Sequence, residues 1–279
     1  MRFVTVATTD GGTAVTIRTA GELYAVLDPS GRRCPDLRAA LDAAGGQPLL
    51  HESEPLTGGL RVLRPVLEPA AIVCVGVNYG AHIREMGRET PTSPTLFLKL
   101  PQALADPSAD VELPRASAQV DYEGELVAVI GRQGRRISEA DALDHIAGVT
   151  LMNDVSMRDF QYRSLQWFAG KSWRATTPVG PEVVTLDELD GLAERELTTT
   201  VNGEVRQRAT IGDLAFGIPA LIADISEIVE LVPGDLIATG TPGGVGHAMD
   251  PPTYLRPGDV VEVALDGIEP LRTTFRAPV

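Results

Sequence analysis

Cysteine is almost missing. Cys34 and Cys74 are the only two in 279 residues, too few for a disulfide framework in a chain of this length, and their spacing matches no zinc pattern. Both read as reduced packing residues. Long apolar runs are missing too: no stretch reaches the roughly 18 consecutive apolar residues of a spanning helix. The opening "MRFVTVATTDGG" meets Asp10 before a signal-peptide core can form, so a cytoplasmic location is expected. Positive charge is scarce, with 24 Lys and Arg against 38 Asp and Glu, a formal charge of 24 - 38 = -14. That balance opposes a phosphate backbone or an anionic membrane, so neither nucleic acid nor membrane is an expected partner. The motifs of phosphate binding and serine hydrolysis are incomplete or absent. "GTPGGVG" (240 to 246) is not GxGxxG, "AGKS" (169 to 172) has Leu165 where a P-loop needs glycine, and no GxSxG occurs.

What is present suits a globular chain, with 43% apolar residues available for a core. Residues 1–68 read as a small N-terminal α/β domain. Two β-rich arms flank Asp10, Gly11 and Gly12, and "PDLRAALDAAGG" reads as a short helix stopped by Gly45 and Gly46. A connector, "LRPVLEPA" (63 to 70), leads into residues 69–279, where short strands dominate and Asn202-Gly203 and Asp266-Gly267 mark tight hairpins. "SEADALDHIAG" (138 to 148) is the clearest helix candidate, with Ser138 and Asp141 as a capping box and His145 in the last turn in a structural role. The pattern predicts a β-rich α+β fold.

Chemistry concentrates where apolar runs meet acids. In "VDYEGELVAVIG" (120 to 131), alternation along one strand places Asp121, Glu123 and Glu125 on one face, with neighbours about 7 Å apart. The following "LVAVI" is apolar on both faces, as in a strand covered on both sides. Carboxylates gathered at the end of such a strand need a cation, and hard oxygen ligands select Mg²⁺, Mn²⁺ or Ca²⁺. Asp154, ending the run in "GVTLMNDVSMRDFQ", is either a helix N-cap or a third carboxylate of that site. In "CVGVNYGAHIREMG" (74 to 87), His82 and Glu85 stand three apart, the spacing of a surface charge pair or of a general base with its orienting carboxylate. Lys99 and Lys171 read as single cations able to meet a carboxylate or an enolate.

In chain order, "VGVNYGAHIREMG", "TLFLKLPQAL", "VDYEGELVAVIG", "MNDVSMRDFQ", "GKSWRATTPVGP", "VNGEV", "PGDLIATGTPGGVG" and "YLRPGDVVEV" resemble the fumarylacetoacetate hydrolase family from Ala70 to the C-terminus. The resemblance implies a mixed β-sandwich roll, a homodimer, and one Mg²⁺ or Mn²⁺ ion per subunit. It carries over Glu123, Glu125 and Asp154 as metal ligands, with Asp121 outside them. It makes His82 and Glu85 a water-activating dyad and sets Lys171 against the reacting carbonyl or enolate. Tyr79, Lys99, Arg158, Gln161 and Thr241 fall in substrate-binding segments. Two positions depart from the family pattern: Gly124, where a larger residue is usual, and Gly243, where proline is frequent.

The activity this implies is C-C hydrolysis of an acylpyruvate-type 1,3-diketo acid. His82 would activate water against the distal carbonyl, and Lys171 and the metal would stabilise the released enolate. The same enolate logic supports oxaloacetate decarboxylation, isomerisation or decarboxylation of ring-cleavage dicarboxylates such as 2-hydroxyhepta-2,4-diene-1,7-dioate, and reactions of keto-deoxy sugar acids. A metal-stabilised ligand-binding scaffold is the non-enzymatic alternative.

Overall fold

The computed structural model describes residues 1–80 and 91–278. Its centre is the strand Gly124–Ile130, buried at every position. Alternation splits its side chains between two cores. Leu126, Ala128 and Ile130 enter one with Leu197, Val263 and Leu221, while Val127 and Val129 enter the other with Phe3, Val15 and Leu37. A strand with no solvated face has no use for polar alternation, which is why it reads as a continuous apolar run.

The larger sheet runs in the order Leu50–His51, Glu22–Leu27, Thr13–Thr19, Arg2–Ala7, Thr177–Val184, Ile146–Asn153, Gly124–Ile130, Leu236–Ala238, Ile72–Gly76, Thr95–Leu98. The chain from residue 1 to 68 therefore joins the rest edge to edge, through Arg2 opposite Val184 and Phe3 opposite Val183. Buried Glu182 reinforces the seam by accepting Arg2 Nη1 at 2.7 Å, with Arg18 Nη1 at 3.2 Å. One sheet and one core thus include residues from both sides of position 68. A second sheet, in the order Glu204–Thr210, Glu196–Val201, Val260–Leu265, Ile268–Arg276, Val111–Glu112, lies against the first. The two sheets give the β-rich sandwich expected, and the hairpins at Asn202-Gly203 and Asp266-Gly267 are present.

Two local expectations differ from the structure. The helix expected over 138 to 148 is one 3-10 turn, Ala142–His145, after which Ile146–Asn153 is strand. Ser138 Oγ donates to Asp141 Oδ2 at 2.6 Å within a turn, and His145 pairs through both ring nitrogens with Arg132, a structural role. The best-formed helix of the second half is instead Ile218–Ile228. It carries Pro219 in its first turn and buries Ile218, Leu221, Ile222 and Ile225, spaced to share one face; each such burial contributes about 1.5–3 kcal/mol. Finally, Asp121, Glu123 and Glu125 do not share one strand face. Val120–Asp121 pairs with Ser156–Met157 in a separate ribbon, and the main strand begins at Gly124.

That break has a reason in packing. A Cβ on Gly124 would meet Thr199 Oγ1 at 2.0 Å and Val263 Cγ1 at 3.2 Å, so the absent side chain lets the second sheet close over the start of the central strand. Gly124→Ala is expected to lower the stability to urea unfolding by about 1–3 kcal/mol, with partial recovery when Thr199→Ala is added. An unchanged midpoint in the single variant would show that the sheets do not press on this position.

Candidate active site

Pairing of Gly124 with Asn153 aligns the ends of two central strands. Glu123 and Glu125 flank one end, and Asp154 directly follows the other. Backbone contacts lock the junction: the Asp154 N–H donates to Glu123 O at 2.8 Å, and the Glu123 N–H to Asn153 Oδ1 at 3.0 Å. Glu123, Glu125 and Asp154 are all buried, and each offers an oxygen within 4.8 Å of the others. Tertiary pairing thus brings together the three carboxylates that the resemblance implied as ligands.

Among the described residues, three buried cations surround them. Lys171 Nζ donates to Glu123 Oε2 and Asp154 Oδ2, both at 2.7 Å. Lys99 Nζ donates to Asp154 Oδ1. Arg158 Nη1 lies 2.7 Å from Glu123 Oε1, and its Nε donates to Asp121 Oδ2 at 2.9 Å. Burial works against the Lys171 ammonium, but Asp154 and Glu123 beside it hold its pKa above the ordinary value. Among the described residues Glu125 has no such partner and accepts only the Gly240 N–H, at 2.9 Å. Burial, then the charges of Asp154 and Glu123, push its carboxyl well above the usual range. With all groups ionised, three cations against Asp121, Glu123, Glu125 and Asp154 leave 3 - 4 = -1.

Lys171 reaches this point because the short helices Arg158–Gln161 and Phe168–Lys171 pack closely. A Cβ on Gly170 would lie 2.5 Å from Gln161 Cβ and 2.6 Å from its Cα, so the glycine of "AGKS" serves helix contact. The "GTPGGVG" glycines serve the carboxylates: besides Gly240 on Glu125, the Gly246 N–H donates to Asp121 Oδ1 at 2.8 Å and the His247 N–H to Asp121 Oδ2 at 2.9 Å. Asp121 therefore ties this loop to Arg158 without belonging to the trio of Glu123, Glu125 and Asp154.

A cavity opens over Glu123 and Lys171. Arg158, Gln161 and Thr241 also line it, and Val75, Phe97 and Trp167 form an apolar wall. Lys99 and Tyr79 are buried but are not among the lining residues; the Tyr79 hydroxyl has no hydrogen-bond partner among the described residues. His82 and Glu85 lie outside the described residues. The sequence reading missed Gln207, Trp167 and His247. Gln207 is buried and clamps the loop, accepting the Gly124 N–H at 2.9 Å and donating to Thr241 Oγ1 at 2.7 Å. A glutamine within a strand gives no signal in sequence, whereas His247 directly follows "GTPGGVG" and could have been noticed.

A family model described as "Fumarylacetoacetate (FAA) hydrolase C-terminal" matches residues 71–276. The chain belongs to the fumarylacetoacetate hydrolase family. Among curated relatives, the oxaloacetate tautomerase YisK of Bacillus subtilis (strain 168) is 42% identical over 208 residues, 73% of this chain and 69% of that protein. The fumarylacetoacetate hydrolase of Exiguobacterium antarcticum superposes with a TM-score of 0.85 at 34% identity, covering 99% of this chain and 100% of that one. A fumarylpyruvate hydrolase from Pseudomonas aeruginosa, solved in complex with Mn²⁺ and pyruvate, gives 0.69 at 30% identity, covering 78% and 92%. The family match begins at residue 71, so the strands of the first 68 residues stand outside it while completing its sheet.

Because Asp121 and Arg158 are both buried, Asp121→Asn would leave the guanidinium short of a charge partner and loosen the amides of Gly246 and His247. A loss of about 3 kcal/mol in urea unfolding is expected. A variant as stable as the parent would show that Glu123 alone suffices for Arg158.

Proposed function

We propose that this protein is a divalent-metal-dependent enzyme of 2-oxo acid chemistry that interconverts the keto and enol forms of an oxaloacetate-like dicarboxylate. The observation carrying this reading is the buried carboxylate trio beside a cavity whose edge holds a protonated lysine. The residues suit an ion: three hard oxygen donors converge, and among the described residues Glu125 lacks a side-chain cation of its own. Glu123, Glu125 and Asp154 would hold Mg²⁺ or Mn²⁺, one per subunit of a homodimer, and the ion would supply Lewis-acid polarisation of the 2-oxo group. Curated relatives named oxaloacetate tautomerases, at 38 to 42% identity, support the choice of reaction.

The chain's own groups then have distinct tasks. Lys171 Nζ offers its ammonium to the oxygen that gains charge as the enolate forms, and its ties to Glu123 and Asp154 hold it in place before reaction. Arg158 is pinned by Asp121 and Glu123, and its Nη1 fixes Gln161 Oε1 at 2.8 Å, which turns the Gln161 amide N–H groups to recognition. Phe97 and Trp167, in edge contact at 5.4 Å between centroids, exclude water from the face where a proton is transferred. His82, oriented by Glu85, would accept that proton.

The same pair of residues, at a spacing of three, favours a second reading, acylpyruvate hydrolysis, in which the imidazole activates water. Ultraviolet absorbance of freshly dissolved enol-oxaloacetate and of acetylpyruvate, each with Mg²⁺, Mn²⁺ or EDTA, separates the two. Enol decay above the spontaneous rate, abolished by EDTA and by Glu123→Gln and reduced roughly 100-fold in Lys171→Met, is expected. Acetylpyruvate cleavage that disappears in His82→Ala would establish the hydrolase instead. A thermal midpoint raised by the metal with no turnover of either compound would leave a ligand-binding scaffold.

A further inference from the structure

His247 lines the cavity beside Gln161, Arg158 and Thr241, and it is anchored twice. Its backbone N–H is held by Asp121, and its Nδ1 lies 2.9 Å from the Tyr254 hydroxyl. Tyr254 is not a lining residue, so that contact is made behind the wall. The ring also packs against Tyr162, with centroids 5.2 Å apart at 31°. A surface histidine without a task does not need this support. Its Nε2 has no partner among the described residues.

The charges around it define what this nitrogen can serve. Each cation of the site, Lys99, Lys171 and Arg158, is already engaged with a carboxylate. A substrate whose 2-oxo acid end occupies the metal site and whose other end carries a second carboxylate finds no uncommitted cation among the described lining residues. Among the described lining residues neutral donors can receive it: the Gln161 amide, the Tyr162 phenol and the doubly anchored His247 imidazole. Burial, with Arg158 nearby, holds His247 below its ordinary pKa, so the ring is neutral at physiological pH. A neutral imidazole has one donor and one acceptor nitrogen. When the Tyr254 hydroxyl donates to Nδ1, the proton resides on Nε2.

We propose that His247, held in its Nε2–H form by Tyr254, is a specificity-determining residue that donates to the distal carboxylate of a dicarboxylic 2-oxo acid. The inference rests on the 2-oxo acid reading above and adds to it the residue that separates diacids from monoacids. Loss of one such donor to a charged acceptor weakens binding about tenfold.

The test is calorimetric titration of the Mn²⁺-loaded protein with 2-oxoglutarate and with 2-oxovalerate, acids of equal chain length that differ in the terminal carboxylate, alongside KM and kcat for oxaloacetate. In His247→Ala, diacid affinity should fall about tenfold while monoacid affinity is unchanged, and KM should rise with little change in kcat. His247→Gln, which keeps an N–H near the Nε2 position, should restore most of the loss. Tyr254→Phe, which releases the tautomer, should fall between. Equal weakening of both acids, or no weakening of either, would overturn the assignment, as would a wild type that prefers the monoacid. Failure of the wild type to bind either acid in a metal-dependent way would overturn the 2-oxo acid reading itself, and the assignment with it.

Discussion

Four buried carboxylates and three buried cations among the described residues, gathered at one junction, are the constraint on which the rest of this molecule depends. Charges out of water carry a desolvation cost of several kcal/mol each, offset only by close and well-directed partners. Lys171 spans Glu123 and Asp154, Lys99 closes the other side of Asp154, and Arg158 spans Glu123 and Asp121. Glu125, left with one backbone amide among the described residues, is the point of electrostatic deficit. An ion placed there would relieve the repulsion that folding has gathered, so binding and stability share one source.

The fold supplies the rigidity that such an arrangement needs. Glu123, Glu125 and Asp154 stand at the aligned ends of adjacent central strands whose apolar residues are divided between two cores. Movement of either strand would disturb both cores together. The loop after Leu236–Ala238 is held to the same point by the amides of Gly240, Gly246 and His247, and Gln207 clamps it from the second sheet. Contacts that stabilise the sandwich and contacts that aim the polar groups are therefore largely the same.

Much of this was legible before the structure. The hairpins at Asn202-Gly203 and Asp266-Gly267 follow from turn chemistry alone, and the two-sided burial of "LVAVI" follows from its lack of polar alternation. Other elements were hidden by residues that usually mean something else. Thr177–Val184 carries Pro178 and Pro181, which argue against a central strand, yet it is buried throughout and joins the N-terminal strands to the rest of the larger sheet. "SEADALDHIAG" has the caps of a helix, but pairing of Ile146–Asn153 with both neighbours claims its end, from Ile146 on. Local capping is weaker than a full set of strand hydrogen bonds and the burial they bring.

The sequence by itself determined the chemical inventory: which acids stand beside apolar runs, which lysines and arginine accompany them, and, through motifs in family order, the family. It also carried the reason those acids need a cation, because a row of carboxylates entering a core is unstable alone. Only the tertiary structure decided which acids converge. Asp121 looked equivalent to Glu123 and Glu125 by alternation, but the chain breaks before Gly124, where Thr199 occupies the space of a side chain, and Asp121 turns to Arg158 and the loop amides. His247, next to a motif but outside it, likewise acquired a place on the cavity wall only through Tyr254, seven residues on, and Asp121, from a distant strand. Spacing encodes the faces of one element, whereas convergence depends on how separate elements pack, and that is fixed by long-range contacts that no local pattern records.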